Sequence, residues 1–146
     1  MPRWFPRADN KAGVNKALFV GCVGALIVVG IDAYHIVERA LHYQQYSDPR
    51  LRGLEPLLLI GPIAVALVPL TAAWRFAIGK GLAWGSVVLL LVLVPLVIDL
   101  FMGMTSANIA WVIARFLGAA ALIVGIRGAW TARSPVLRQD YAEVFE

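Results

Sequence analysis

Hydrophobic residues of this chain are grouped in long segments, and polar residues lie mainly between these segments. Four long apolar stretches, at about 17–38, 56–76, 81–102 and 108–128, are separated by short polar connections. A helix needs about 20 apolar residues to cross the roughly 30 Å hydrocarbon core of a bilayer. None of the stretches has the period-2 alternation of a membrane strand. The pattern therefore predicts an all-α, polytopic membrane protein with four transmembrane helices in a bundle.

The predicted transmembrane domain covers 17–130 and leaves a basic N-terminus at 1–16 and a polar C-terminal tail at 131–146. Composition agrees with a membrane protein, since 60% of the residues are hydrophobic and 15% are charged, against about 45–50% and about 25% in soluble domains. A chain of 146 residues forms one compact unit, so a separate catalytic domain is not expected.

The basic residues predict the orientation of the helices. If the N-terminus is cytoplasmic, nine of the thirteen Lys and Arg residues flank cytoplasmic helix ends, three flank outer ends, and Arg115 lies inside the fourth helix. Lys and Arg are enriched in cytoplasmic loops, so both termini are predicted to be cytoplasmic. The first apolar stretch is longer than a signal-peptide core and is predicted to be retained. We expect the location to be a bacterial plasma (inner) membrane.

Four ionisable residues fall inside the predicted spans: Asp32, His35, Asp99 and Arg115. The predicted topology places all four in the outer half of the membrane. Each such group costs at least about 2.5–3.5 kcal/mol to insert, and such groups are usually paired inside a bundle or cavity. Asp99 and Arg115 flank the connection between the third and fourth helices at similar depth. We expect them to form an ion pair, with Asp32 as the rival partner of Arg115.

One face of the first helix carries a second polar pattern. Asp32, His35, Glu38, Arg39 and His42 follow helical spacing and share this face. The Asp, His and Glu side chains among them are the types that bind zinc, copper or iron. Three interpretations remain open: a face directed at the bundle near the headgroups, a proton or ion relay, and a metal site. Two histidines on one helix face cannot hold a haem from opposite sides, and a single cysteine excludes CxxC chemistry. The cofactor, if any, is unknown.

Small residues recur every four positions in two of the predicted helices. The helix-packing candidates are Gly13, Ala17, Gly21 and Ala25 in the first helix and Ala110, Ala114 and Gly118 in the fourth. Such faces let helix backbones approach closely in a membrane, either within one bundle or against another subunit. Pro62, Pro69 and Pro95 are expected to bend the second and third helices.

No sequence motif identifies an enzymatic activity. Gly-rich phosphate loops, the GxSxG turn and HExxH are missing from the sequence, and the basic residues are too scattered to predict a nucleic-acid partner. The expected partners are the lipid bilayer and either other membrane subunits or a second copy of the chain. The leading hypothesis is a non-catalytic accessory or assembly subunit of a larger membrane complex. The alternatives are a small oligomeric ion- or proton-coupled transporter or channel and a membrane-embedded metal enzyme.

Overall fold

The computed structural model describes residues 11–46, 55–102 and 109–133, with side chains at 11–41, 60–98, 100–101 and 109–133. It contains four helices, α1 (Lys11–Tyr46), α2 (Glu55–Ala77), α3 (Leu82–Met102) and α4 (Ile109–Thr131). No strand occurs in these ranges. The prediction of an all-helical chain with four helices is therefore confirmed.

Three of the helices are long and apolar enough to cross a membrane, over Lys11–Leu41, Ile60–Ala77 and Ile109–Thr131. The apolar part of α3, Leu82–Ile98, is shorter. Helix α1 extends beyond the predicted span at both ends. Its continuation through Tyr46 has a local cause, because residues 39–46 contain neither proline nor glycine to end the helix.

Each helix packs mainly against its neighbours in a ring. Helix α1 packs against α2 and α4, α3 packs against the same two helices, and α1 touches α3 only slightly across the centre. Sequence neighbours are therefore spatial neighbours, and α4 closes the ring on α1. The start of α1, the α2–α3 turn and the end of α4 lie at one end of the molecule, which we call the Phe76 end. The opposite end is called the His35 end.

The outer surface of the helices is strongly apolar. Large hydrophobic side chains are exposed on every helix, including Phe101 at 88% and Trp130 at 70%. Within the described part of the chain, no charged or polar side chain is fully buried. A surface as apolar as the core is compatible with contact with lipid tails, which do not penalise exposed hydrocarbon.

Helices α1 and α4 cross at very short distance because glycines face each other. A Cβ atom at Gly21 would lie 2.6 Å from the Cα of Gly125, and one at Gly24 would lie 2.7 Å from the Cβ of Ala121. One turn further towards the Phe76 end, a Cβ at Gly128 would meet the Cβ of Ala17 at 2.7 Å. Only glycine permits this backbone approach.

The space at the centre of the Phe76 end is filled by one aromatic ring. Phe76 of α2 is fully buried, and four glycines surround its ring: Gly21, Gly81, Gly85 and Gly125. A Cβ atom at Gly81 or Gly85 would collide with the ring, and one at Gly21 or Gly125 would press against it at 3.1–3.2 Å. We call this arrangement the glycine socket; it joins all four helices through a single side chain.

The α2–α3 turn ends α2 with a Schellman motif. Gly79 has a φ of 71°, its N–H donates to the carbonyl of Phe76 at 3.0 Å, and the N–H of Lys80 donates to the carbonyl of Arg75 at 2.8 Å. These two bonds satisfy carbonyls that the end of a helix leaves without partners. The left-handed backbone at Gly79 explains why a glycine occupies this position.

Candidate functional site

Polar side chains from two helices gather in a cavity at the His35 end. Helix α1 contributes Asp32, His35 and Arg39, and α4 contributes Arg115. The cavity has a volume of about 430 Å³, and apolar residues, among them Val65 of α2, complete its wall. We call it the outer cavity.

A second cavity, of about 240 Å³, adjoins the first and lies deeper among the helices. Asp32, Val65 and Arg115 line both, so the ionisable groups stand where the two spaces meet. The remaining walls of this inner cavity are apolar residues of α1, α2 and α3. Together the two cavities form a space that is polar at the His35 end and apolar towards the centre.

Prolines leave helix carbonyls without their usual donors beside the inner cavity. Pro69 of α2 and Pro95 of α3 line it, as do Val65 and Leu91, each four residues before one of the prolines. A proline has no N–H to offer the carbonyl four residues earlier. The carbonyls of Val65 and Leu91 therefore cannot accept the usual helical hydrogen bond from residues 69 and 95.

The periodicity of α1 explains why its polar residues share one wall. Asp32, His35 and Arg39 stand three and four residues apart, which places them on one side of a helix. Their helix packs against α4, where Arg115 lies one turn beyond Trp111. The half-buried carboxylate of Asp32 lies within the electrostatic field of both His35 and Arg115. The cavity therefore combines one acid, one imidazole and two guanidinium groups.

The ring of His35 is held by aromatic neighbours. Its centroid lies 5.3 Å from that of Trp111 and 5.7 Å from that of Tyr34, and these two rings are 4.5 Å apart. Nδ1 of His35 is 3.4 Å from Oε2 of Glu38. Nε2 is buried and has no hydrogen-bond partner among the described residues.

The structure brings three of the four predicted intramembrane groups together: Asp32, His35 and Arg115 line the outer cavity. The side chain of Asp99 lies outside the described residues, so the pair of Asp99 with Arg115 stays a prediction. Arg39, which helical spacing places on the same face of the first helix as Asp32 and His35, also lines the outer cavity.

The metal-site hypothesis is not tested by this geometry. Glu38 contacts His35 but lines neither cavity, and the side chain of His42 lies outside the described residues. In the part of the chain that the structure describes, no three His, Cys, Asp or Glu side chains form a group that could hold a metal ion. The proposed ligand set of Asp32, His35, Glu38 and His42 stays a prediction.

The predicted helix-packing residues are distributed unevenly. Ala17, Gly21, Ala25 and Gly118 are buried, Gly13 and Ala114 are half-buried, and Ala110 is exposed. Sequence reasoning missed the socket around Phe76 and three glycines at the α1–α4 contact: Gly24, Gly125 and Gly128. The sequence signal for Gly125 was its spacing of seven residues from Gly118, which is about two helical turns.

Known proteins offer no guide to these cavities. Comparison of the chain with protein-family models, with curated proteins and with solved structures found no match.

Proposed function

We propose that this chain is a four-span membrane protein that moves protons or small ions through the two adjoining cavities, acting as a small transporter. The observation that carries the proposal is the meeting of both cavities at Asp32 and Arg115. An ionisable residue among apolar helices is costly and often marks an ion or proton pathway. The two cavities leave space for water beside these groups.

Two titratable side chains and two backbone carbonyls supply proton and cation partners along this space. Asp32 and His35 can each accept and release a proton, and the carbonyls of Val65 and Leu91 lack a helical donor because of Pro69 and Pro95. Non-helical or partly unsatisfied backbone at membrane depth is tolerated where it lines a cavity. The arrangement supports a path that starts at the His35 end.

The four-span topology is part of the proposal. Helix α3 packs between α2 and α4, both of which contain segments long enough to span. This position between two candidate spans supports a crossing by α3 as well. We propose that both termini are cytoplasmic and that the His35 end faces outwards, as the distribution of basic residues predicts.

Proton flux into liposomes tests the proposal. Purified protein is reconstituted with an internal pH dye, and a potassium diffusion potential drives uptake. Wild type should acidify the interior faster than empty liposomes, Asp32→Asn should abolish that difference, and Asp32→Glu should restore part of it. Lys16→Gln, which removes an exposed charge at the Phe76 end, should leave the flux unchanged. Equal flux in wild-type and Asp32→Asn liposomes would exclude Asp32 from the path.

A non-catalytic accessory subunit is the second candidate, and two exposed glycines favour it. A Cβ atom at Gly30 of α1 or at Gly61 of α2 would meet no atom within 4 Å. Small residues on an outer helix face permit close contact with a helix of another subunit. Native mass spectrometry in mild detergent separates the candidates, because a defined complex with one foreign subunit supports this one and a homo-oligomer supports the transporter.

A further inference from the structure

A third cavity, of about 700 Å³, lies at the Phe76 end and is lined by positive charge. Arg75 at the end of α2, Lys80 in the α2–α3 turn and Arg133 after α4 all border it. None of the described residues that line it is acidic. Three cations from separate elements thus converge on one space, and we call it the basic cavity.

Arg75 has one hydrogen-bond donor without an acceptor among the described residues. Its Nε is buried and has no partner among the described residues, while its guanidinium stands 5.4 Å from the centroid of the Trp74 ring. An anion in the basic cavity would balance the charge of this guanidinium, which the ring of Trp74 positions through a cation–π contact.

The first turn of α3 adds positive potential to the same cavity. Ala83 and Trp84 line it, and the first turn of α3 contains no acidic residue. N–H groups in the first turn of a helix have no partner within the helix and carry partial positive charge. The Schellman turn uses the N–H groups of Gly79 and Lys80 internally, so the α3 N–H groups and the three side chains remain for the anion.

The position of the cavity indicates which kind of anion it binds. It lies where α2 ends, α3 begins and α4 ends, and three exposed tryptophans surround this end: Trp74, Trp84 and Trp130. Tryptophan is enriched at the level of lipid headgroups, and basic pockets between helices at this level bind anionic headgroups. We propose that the basic cavity binds the phosphate of an anionic phospholipid headgroup.

Lipid titration by native mass spectrometry tests this site independently of any transport. The delipidated full-length protein in mild detergent is titrated with phosphatidylglycerol, with phosphatidylcholine and with inorganic phosphate. Phosphatidylglycerol should bind clearly tighter than phosphatidylcholine. The double variant Lys80→Gln with Arg133→Gln should weaken phosphatidylglycerol binding about 25-fold, since each cation near a headgroup contributes roughly fivefold. Both side chains are exposed, so folding should survive, as a melting curve will check.

The matched control removes two charges at the same end but outside the basic cavity. Lys16 and Arg127 are exposed and do not line it, so Lys16→Gln with Arg127→Gln should change the affinity by less than about twofold. An equal loss in both double variants would overturn the proposal in favour of diffuse charge attraction. Competition by inorganic phosphate at equal concentration would overturn the lipid assignment in favour of a soluble phosphate. Equal binding of the two lipids would exclude a headgroup site.

Discussion

Phe76 shows how one side chain can organise several helices. Its ring fills the glycine socket, and its burial is complete. The four glycines have no side chains of their own, so no other group can replace the contacts of the ring if it is removed. In a membrane, such packing contacts replace the hydrophobic effect as the force that joins helices.

We expect Phe76→Ala to lower the free energy of unfolding by about 3 kcal/mol. Replacing a buried phenylalanine by alanine costs about 3–5 kcal/mol in soluble proteins, and the lower end applies because unfolding in a bilayer does not expose the ring to water. Melting in detergent measures the change. Phe116→Ala is the control, because Phe116 is 64% exposed and should shift the melting temperature little. Equal shifts would show that the socket is not a special packing site.

Substitutions of His35 and Glu38 test the hypothesis that the first helix binds a metal ion. If they bind metal, His35→Ala and Glu38→Ala should each remove most of it and leave the protein folded in the membrane, since losing one ligand weakens a site strongly. Metal analysis of gently extracted protein measures the content. Wild-type protein without stoichiometric metal would end the metal-enzyme hypothesis.

At the scale of elements, the α1–α4 contact depends on glycines in register. Gly21 and Gly125 meet backbone to backbone, whereas Gly30, two to three turns along the same helix, faces open space. The same residue type therefore has opposite roles on two faces of α1. Alanine substitutions can separate these roles cleanly.

Gly21→Ala should destabilise the protein by about 1–3 kcal/mol, because its Cβ would lie 2.6 Å from the Cα of Gly125 and forced overpacking carries that cost. Gly30→Ala is the matched variant and should be neutral or stabilising by up to about 1 kcal/mol, since alanine is the better helix former. Thermal melting of both variants in detergent provides the comparison. A Gly21→Ala protein as stable as wild type would contradict the close α1–α4 contact.

An ion pair of Arg115 with Asp99 would join α4 to α3, and an ion pair with Asp32 would join α4 to α1. Arg115→Ala alone should lower the melting temperature if it leaves a carboxylate without its opposite charge, whereas replacing both members of a pair by leucine can be nearly neutral. Recovery of melting temperature in Asp99→Leu with Arg115→Leu would assign the pair to Asp99. Recovery only in Asp32→Leu with Arg115→Leu would assign it to Asp32, whose carboxylate lies in the field of Arg115. Arg127→Ala, exposed on the same helix, is the control.

At the scale of the whole molecule, the proposed orientation of the helices assigns each cavity to one side of the membrane. Cysteine labelling should place residues near Gln45 and Thr105 outside and residues near Gly79 and Ser134 inside, because most basic residues flank the Gly79 side. The labelling reagent must not cross the membrane, and Cys22 is first replaced by serine. Labelling of a cysteine near Gly79 from the outside would invert the proposed topology and place the Asp32 cavity on the cytoplasmic side.

Sequence alone determined the elements of this protein, because helix formation in an apolar segment depends on residues that are close along the chain. The long uncharged stretches, with few interrupting polar residues, were sufficient to predict four helices. The face shared by Asp32 and His35 also followed from helical spacing. These inferences need only the period of a helix.

Tertiary structure alone decided which faces meet, since packing depends on the rotation and register of each helix against its neighbours. Small residues occur on several faces, and their spacing does not say which neighbour each one contacts. The contact of Gly125 with Gly21, the ring of Phe76 in its socket and the convergence of Arg75, Lys80 and Arg133 join residues far apart in sequence. The cavities likewise arise from gaps between helices, which exist only once all four helices are packed.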